Sequence, residues 1–245
     1  MENIKEANIT NLTSLWETAG KPFGGFCFEN GFNYCKVRNS DWPNKLWLKE
    51  ELKQSNLNKI AVLISSSPEL VFTYWDDFNS SSFAAIENCG FIRKSEQTGM
   101  SLKLNKKFKG SERLKFIQTA EPETAKTWVE LYPRCFGYRI SEEIINHSTG
   151  KIRFYLAVFE GSPIGTAITY RTGHVAGIHG VGVIPEMRRM GFAKEIMHFL
   201  LQQASDEESE YAVLQASALG KGIYLQMGFS EDFLMVNYIL KGKQL

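Results

Sequence analysis

One strand-to-helix transition constrains this chain more than any other feature. In VGVIPEMRRMGFAKE, residues 181–195, a strand-like run gives way to a helical pattern with two arginines and a glycine between them. The first N–H groups of a helix have no partner within the helix, and the macrodipole makes that end positive. Glycine lets a ligand approach the backbone because it has no Cβ. The segment is therefore typical of an anion site, above all for a phosphate.

Two common phosphate-binding motifs are absent from this segment. A Walker-type loop requires GxxxxGK[ST], and no such spacing occurs in the chain. A dinucleotide fingerprint requires GxGxxG, but Gly180-Val181-Gly182 has no glycine three residues later. The motif that remains is Arg188-x-x-Gly191-x-Ala193.

Length and composition limit the classes of protein that remain. The chain has 245 residues, enough for one large domain or two small ones, and its net charge of +1 gives no global attraction to nucleic acid or to an anionic membrane. It shows no signal peptide and no apolar stretch long enough to span a bilayer. The four cysteines form no close pairs, so we expect a cytoplasmic chain with buried thiols and no metal.

The C-terminal half has a readable order of elements. A strand at 114–119 precedes a helix with Pro122 in its first turn, and Ser141 is placed to cap a second helix. Strands are expected at 152–160, 164–171 and 175–184, antiparallel because their connections are short. Gly177, Gly180 and Gly182 in the last of these indicate a bulge or a close backbone approach. An amphipathic helix after Gly191, a strand at 211–217, a short helix ending at Gly228 and a strand at 233–240 complete the half.

The N-terminal half repeats this order more faintly. A helix is expected to end at Gly20, and Asn30-Gly31 is a hairpin signal. KLWLKEELKQS is expected to pass from strand to helix, KIAVLIS (59–65) to be a strand, and MSLKL (100–104) to close the half. FAAIENCGF and GIYLQMGF end in the same Gly-Phe pair, which indicates two copies of one topology joined near residues 107–112.

VGVIPEMRRMGFA resembles the nucleotide-binding motif of the GNAT superfamily, [Q/R]-x-x-G-x-[G/A] after a strand. The later IYLQMGF, with Tyr224 followed by Gly228-Phe229, is similar to the family's L-Y-x-x-x-G-F. The resemblance spans residues 112 to 240 in order. It implies an α/β fold with two GNAT-like domains in tandem, each a mostly antiparallel mixed sheet flanked by helices. The boundaries are a degenerate copy at 1–108 and a complete catalytic domain at 112–245.

The resemblance also implies a cosubstrate, acetyl-coenzyme A, and roles for particular residues. The family's pyrophosphate-binding positions correspond here to Arg188, Arg189, Met190, Gly191, Phe192 and Ala193. Val181 and Val183 would bond the pantetheine arm, and Ser217 stands where many members have an asparagine. Tyr224 corresponds to the usual general acid, which protonates the departing thiolate. As an alternative, Tyr224 is a half-buried packing residue.

Chemistry adds a requirement for a base, because a free amine is protonated near neutral pH and must lose a proton before it attacks. His179, two residues before Val181, is the first candidate, although a structural strand histidine fits the sequence equally well. Glu186 and His174 are weaker candidates. Phe136 and Tyr138, between the first two helices of this half, either line an acceptor pocket or simply pack.

The N-terminal copy lacks the corresponding chemistry. Its strand-to-helix segment WPNKLWLKEELK has no glycine, and Ile86 stands opposite Tyr224. We therefore expect no coenzyme A site there and a role in walling the acceptor site. The leading hypothesis is a monomeric or homodimeric acetyltransferase acting on a small-molecule or peptide amine. The alternatives are a non-catalytic acyl-coenzyme A sensor or interaction module, and an enzyme using a longer acyl or an aminoacyl donor.

Overall fold

The computed structural model describes residues 3–29, 31–108, 110 and 112–242. In the N-terminal half the elements are, in chain order, α1 (Ile4–Gly20), β1 (Phe26–Glu29), β2 (Phe32–Cys35), β3 (Lys45–Leu48), α2 (Gln54–Ser66), β4 (Val71–Asp76), α3 (Ser82–Asn88) and β5 (Phe91–Lys103). The predicted hairpin is present as antiparallel β1 and β2, with Asn30 of its turn outside the described residues.

The C-terminal half follows the order expected from the sequence. Its elements are β6 (Lys115–Gln118), α4 (Pro122–Phe136), α5 (Glu142–Ser148), β7 (Arg153–Phe159), β8 (Ser162–Thr172), β9 (Val175–Val183), α6 (Phe192–Asp206), β10 (Tyr211–Ala216), α7 (Lys221–Met227) and β11 (Ser230–Leu240). From β7 to β11 this half repeats the order that runs from β1 to β5: two hairpin strands, a strand, a helix, a strand, a helix and a closing strand.

The two halves share one mixed sheet in the order β1-β2-β3-β4-β11-β5-β10-β9-β8-β7-β6. Its pairs are antiparallel except for β3 with β4 and β9 with β10, which occupy matching positions in the two halves. The closing strands are exchanged: β5 pairs with β10 of the other half, and β11 pairs with β4. The predicted mixed-sheet halves are confirmed, and the exchange makes them one continuous body.

The first helix of the chain crosses from one half to the other. α1 packs against β5, β8, β9 and α5, and Leu15 and Trp16 are buried in a core shared with the C-terminal half. Asn8 and Asn11 of the same helix are fully buried and point at the sheet. An N-terminal helix therefore supplies polar groups to the part of the sheet formed by the C-terminal half.

The prediction of a strand at 59–65 is wrong, because this run lies within α2. Leu57, Ile60 and Ile64 are buried at helical spacing, whereas Val62 is 72% exposed. Positions three and four apart share one face of a helix, so the burial pattern is that of a helix on a core. The strand that follows in the chain is instead β4, VFTYWD, at Val71–Asp76.

Three smaller sequence expectations also have an outcome. Ser141 does precede α5, but its side chain makes no capping hydrogen bond. Of the four cysteines, all free, Cys35 is buried and the other three are half-buried. No helix in the described part of the chain is both long and apolar enough to cross a membrane.

Candidate active site

The candidate site lies where β9 and β10 separate. The two strands pair in parallel only from Val175 to Gly177 on β9, although both continue beyond that point. On its other edge β9 carries a bulge, because Gly180 and Val181 together lie opposite Ala167 of β8. Gly180 has a φ of +55°. The shift in register confirms the bulge predicted from the glycine-rich strand. The left-handed backbone region at positive φ favours glycine, which explains the residue found at this position.

Two other glycines of β9 permit close approaches that a side chain would block. A Cβ on Gly177 would lie 1.8 Å from Asn11 Oδ1 and 2.5 Å from His179 Nε2. A Cβ on Gly182 would lie 2.5 Å from a ring carbon of Phe136 and 2.7 Å from Cys135 Cβ. These glycines therefore let α1 and the end of α4 pack directly on the strand beside the opening.

The strand-to-helix segment presents a run of free amides. Lys194 and Glu195 donate to the Gly191 carbonyl, and Arg188 donates to the Pro185 carbonyl at 3.3 Å. The N–H groups from Arg189 through Ala193 have no hydrogen-bond acceptor among the described residues. These consecutive unsatisfied donors stand at the positive end of the 15-residue α6. Because the N-terminal end of a helix favours negative charge, this run of donors is suited to an anion.

The backbone of this segment is held in an uncommon conformation. Gly191, which precedes α6, has a φ of +85°, and Arg189 has a φ of +63°. For a non-glycine residue the left-handed region costs on the order of 1–2 kcal/mol. Arg113 supports the segment from outside: its guanidinium donates to the Met190 carbonyl at 2.9 Å and to Glu195, and lies 4.5 Å from the Phe192 ring centroid.

The two arginines of the motif have different surroundings. Arg188 turns back to the protein, donating from Nε to the Val183 carbonyl at 3.0 Å and from its terminal nitrogen to the Cys135 carbonyl at 3.1 Å. It thereby ties the end of β9 to the end of α4. The Arg189 side chain is exposed and has no polar partner among the described residues, so it is available to a ligand.

Tyr224 and Ser217 flank the opening from the other side. Burial raises the pKa of Tyr224 to about 12. Its hydroxyl therefore remains protonated throughout the neutral range. The ring packs edge-on against Phe229 at 5.8 Å, and its hydroxyl has no hydrogen-bond partner within the described part of the chain. Ser217 is exposed, and its Oγ accepts a hydrogen bond from the Gly220 N–H at 3.3 Å.

His179 is fixed by a residue of the N-terminal half. Its Nε2 lies 3.1 Å from Asn11 Oδ1, while Asn11 Nδ2 donates to the Tyr170 carbonyl and to Thr172 Oγ1, both at 3.0 Å. Those two bonds orient the Asn11 amide so that its oxygen faces His179 and accepts a hydrogen bond from Nε2. The imidazole proton is therefore on Nε2, and Nδ1 carries a lone pair. Burial lowers the pKa of His179 to about 4.

The low pKa of His179 predicts an acid-sensitive contribution to stability. Below about pH 6.5 an unfolded histidine binds a proton. The folded one stays neutral until about pH 4. The unfolded state therefore binds more protons in this window, and the free energy of unfolding falls as the pH falls. Between pH 6.5 and 4, the free energy of unfolding measured with urea should fall by about 2–3 kcal/mol more in wild type than in His179→Gln. Equal pH slopes would contradict the assignment.

The weaker candidate bases lie in less suitable places. His174 immediately precedes β9. At the rise of an extended strand it is about 20 Å from Val181. Glu186 is fully exposed, and hydrogen bonds from its own N–H and from Arg134 hold its pKa below the usual range. Neither combines proximity to the opening with a free basic atom.

An aromatic wall lies beside the bulge. Phe136 stacks on Tyr132 with centroids 4.5 Å apart, and Tyr132 shares a 2.6 Å hydrogen bond with the hydroxyl of Tyr138. A Cβ on Gly180 would lie 3.3 Å from the Tyr132 ring. Phe136 and Tyr138 thus belong to the packed boundary of the opening, with Tyr138 partly exposed.

Sequence reasoning missed Asn11 and Arg113, which lie 168 residues from His179 and 82 residues from Glu195, respectively. Each residue acts through a partner that is distant in the chain, so local patterns do not predict its contact. For Asn11 the one signal in the sequence is that Asn8 and Asn11 interrupt the otherwise apolar face of α1.

Residues 117–229 match the model of the Acetyltransferase (GNAT) family. The open pair β9–β10 and the free amides before α6 lie within this stretch, whereas β11 begins just after it. Among curated protein sequences, none matches the chain.

Solved structures show that the fold extends over nearly the whole chain. A GCN5-related N-acetyltransferase from Kribbella flavida, 14% identical, has a TM-score of 0.67 over 94% of this chain and 97% of its own. One from Sphaerobacter thermophilus, also 14% identical, scores 0.63 over 89% and 79%. A tandem GNAT protein from the clavulanic acid biosynthesis pathway, 13% identical, scores 0.58 over 87% and 79%. The N-terminal region is thus GNAT-like in fold, and the chain is a tandem arrangement.

Proposed function

We propose that this protein is an N-acetyltransferase that moves an acetyl group from acetyl-coenzyme A to a primary amine by direct attack in a ternary complex. The single observation that carries the proposal is the run of free amides from Arg189 to Ala193, one turn from a strand whose edge is unpaired. A diphosphate fits the amides, and an extended thiol arm fits the strand edge.

The binding roles follow from these positions. The amides of Arg189, Met190, Gly191, Phe192 and Ala193 hold the pyrophosphate, and the Arg189 guanidinium adds charge. Backbone groups of Val181 and Val183 bond the pantetheine arm, and Ser217, which directly follows β10, faces it. Arg188 holds the end of β9 in place through the Val183 carbonyl rather than contacting phosphate with its side chain.

The reaction needs a proton acceptor and a donor on opposite sides of the thioester that the cosubstrate supplies. His179 Nδ1 accepts a proton from the amine, directly or through water, and an amide of the bulged strand stabilises the oxyanion that develops on attack. The Tyr224 hydroxyl, with a pKa of about 12, donates to the departing sulfur. Since a thiol has a pKa of about 8.5, full transfer from this phenol is uphill, so its main contribution is a hydrogen bond.

Asn11 is then a positioning residue that selects the tautomer of His179. Replacing it by aspartate places a negative charge against Nε2–H, which favours the imidazolium, so the pKa of His179 should rise by about one unit or more. A 15N NMR titration of the chain's four histidines reads both the tautomer and the pKa directly. The acidic limb of kcat/KM should move upward by the same amount.

Asn58→Asp is the matched control, because it adds the same charge on the exposed side of α2. It should leave the His179 titration unchanged. An Asn11→Asp protein with the wild-type His179 pKa would show that the amide does not control the imidazole.

We further propose a division of labour between residues 1–108 and 112–245. The catalytic parts lie in the second segment, and the first binds no coenzyme A. The argument is structural: Trp47, on the strand matching β9, is buried against Trp16 and Phe26, and the loop after β3 is closed by a hydrogen bond from Lys49 N–H to the Gly31 carbonyl.

Calorimetry with coenzyme A and turnover of acetyl-coenzyme A with an amine panel test the function. Tight binding with turnover supports the enzyme. The low pKa of His179 makes it a weak proton acceptor, and this favours a second candidate, a non-catalytic acyl-coenzyme A sensor. Binding without turnover across the panel would select the sensor, and no binding would reject both.

A further inference from the structure

A row of polar side chains crosses the sheet from the N-terminal half to His179. One residue from each of six neighbouring strands takes part: Lys45 (β3), Thr73 (β4), Asn237 (β11), Gln97 (β5), Gln215 (β10) and His179 (β9). Thr73 and Asn237 are buried, whereas the other four are partly exposed. Solvent therefore reaches both ends of the row, at Lys45 and at His179.

Hydrogen bonds connect the row and fix its side chains. Asn237 Oδ1 accepts from Lys45 Nζ at 2.5 Å and from Thr73 Oγ1 at 2.8 Å. Asn237 Nδ2 donates to Ser95 Oγ at 3.1 Å and is 3.5 Å from Gln97 Oε1. Further along, Gln97 Nε2 donates to the Gln215 carbonyl at 3.0 Å.

α1 holds the other end of the row. Gln215 Nε2 donates to Asn8 Oδ1 at 2.6 Å, and His179 meets Asn11. Asn8 is itself fixed by its own donation to the Met100 carbonyl at 3.1 Å. These hydrogen bonds therefore fix the side chains of the row at both of its ends.

Lys45 is the unexplained member of this row. Its Nζ contacts an amide oxygen and lies 5.9 Å from the Trp16 ring centroid, and no carboxylate of a described residue is within ion-pair distance. Burial, together with the positive charge of the nearby Lys94, lowers the pKa of Lys45 to about 7. A half-buried cation without an anionic partner is costly, and a bound anion would offset that cost.

We propose that Lys45 binds the carboxylate of an elongated amine acceptor, whose amine lies at the other end of the row beside His179. The assignment rests on the proposed acetyltransferase function, which places the thioester near His179.

Lys45 Nζ lies over β11, three strands from β9 in the sheet. Asn237 pairs with Ser95 and Gln215 with Gly99, so the two ends also differ by four residues along the strands. With three strand spacings across the sheet, the ends are about 19 Å apart, the length of an extended peptide of about six residues. The acceptor class is therefore a short peptide, or an amine of similar length, with a free carboxylate.

The test compares hexa-alanine with a free C-terminus and its C-terminal amide by calorimetry, with and without saturating coenzyme A. Wild type should prefer the free acid about tenfold, as expected for one charge-assisted hydrogen bond. The preference should disappear in Lys45→Met and persist in Lys45→Arg. Lys59→Met, which removes an exposed lysine from α2, is the matched control and should keep it.

These outcomes are separable from those of the proposed function. Neither binding measurement requires turnover, and the titration without coenzyme A remains informative if the protein proves not to bind that ligand. Equal affinity of wild type for acid and amide, undetectable binding of the acid at millimolar concentration, or a preference that survives in Lys45→Met would each overturn the assignment. Thermal melting confirms that the variants are folded.

Discussion

A Gly191→Val protein should bind coenzyme A about 100-fold more weakly than wild type, or worse. Gly191 has a φ of +85° at the entry to α6. A β-branched residue adopts that conformation only with strain. To relieve the strain the segment must rotate its backbone, and the amides from Arg189 to Ala193 then no longer converge. Calorimetry with coenzyme A measures the loss directly, without knowledge of the acceptor.

Gly150→Val is the matched control for this experiment. Gly150 follows α5, has a φ of +84°, and has no heavy atom within 4 Å of its hypothetical Cβ. The substitution therefore introduces the same backbone strain on the surface away from the opening. The control should lose stability to a similar extent and keep its affinity for coenzyme A. If Gly191→Val binds as tightly as wild type, the free amides do not hold the diphosphate.

The free amides before α6 could be predicted from the sequence because the parts of this segment are contiguous. The partnerless N–H groups, the glycine and the preceding strand all fall between residues 181 and 195, and their arrangement follows from helix geometry alone. The bulge at Gly180 is also a local property, since a residue without Cβ is needed at a positive φ. Features of this kind depend on only a few neighbours along the chain.

The remainder of the site depends on contacts that sequence periodicity does not encode. Asn11 reaches His179 because the two halves exchange their closing strands, which brings α1 over β9. The turned-back side chain of Arg188 depends on the position of the Cys135 carbonyl, which only the folded α4 provides. Spacing predicts the backbone conformation of a strand followed by a helix entry, but it does not predict where the arginine side chains point.

The mistaken strand at 59–65 has a similar cause. A short apolar run of β-branched residues fits a buried strand or one face of a helix, and β-propensity favoured the strand. Tertiary packing favours the helix, because Ile60 and Ile64 are both buried in one hydrophobic cluster with Phe72 of β4. The true strand, β4, lies between Ser67-Pro68 and Asp77, so turn residues mark both of its ends more clearly than those of the run at 59–65.

The two halves of the duplicated fold contribute different groups to the shared sheet. The N-terminal half has no glycine at its strand-to-helix segment, but its strands carry Lys45 and Thr73, which bond Asn237 of the exchanged strand β11. A sheet face covered by a helix is ordinarily apolar, and polar groups buried there lose hydration that their hydrogen bonds must offset. Recognition of an acceptor is a use for the polar row that also explains why it ends at His179.

Tyr224→Phe should lower kcat by about 100-fold while leaving the affinity for coenzyme A within about twofold of wild type. The substitution keeps the edge-on contact with Phe229 and removes only the hydroxyl, which has no partner among the described residues and is therefore available to the departing sulfur. Burial raises the pKa of Tyr224 to about 12. The wild-type hydroxyl is thus protonated up to about pH 11, so the loss should be the same at every pH from about 6 to 9.

Tyr155→Phe provides the comparison, since it removes the same oxygen from β7, two strands away from β9. It should leave kcat nearly unchanged, and its rate sets the background effect of losing one phenol. Single-turnover measurements with saturating acetyl-coenzyme A separate the chemical step from product release. A Tyr224→Phe enzyme as fast as Tyr155→Phe would remove Tyr224 from the reaction. The leaving thiolate would then have to be stabilised by the backbone amides or by water alone.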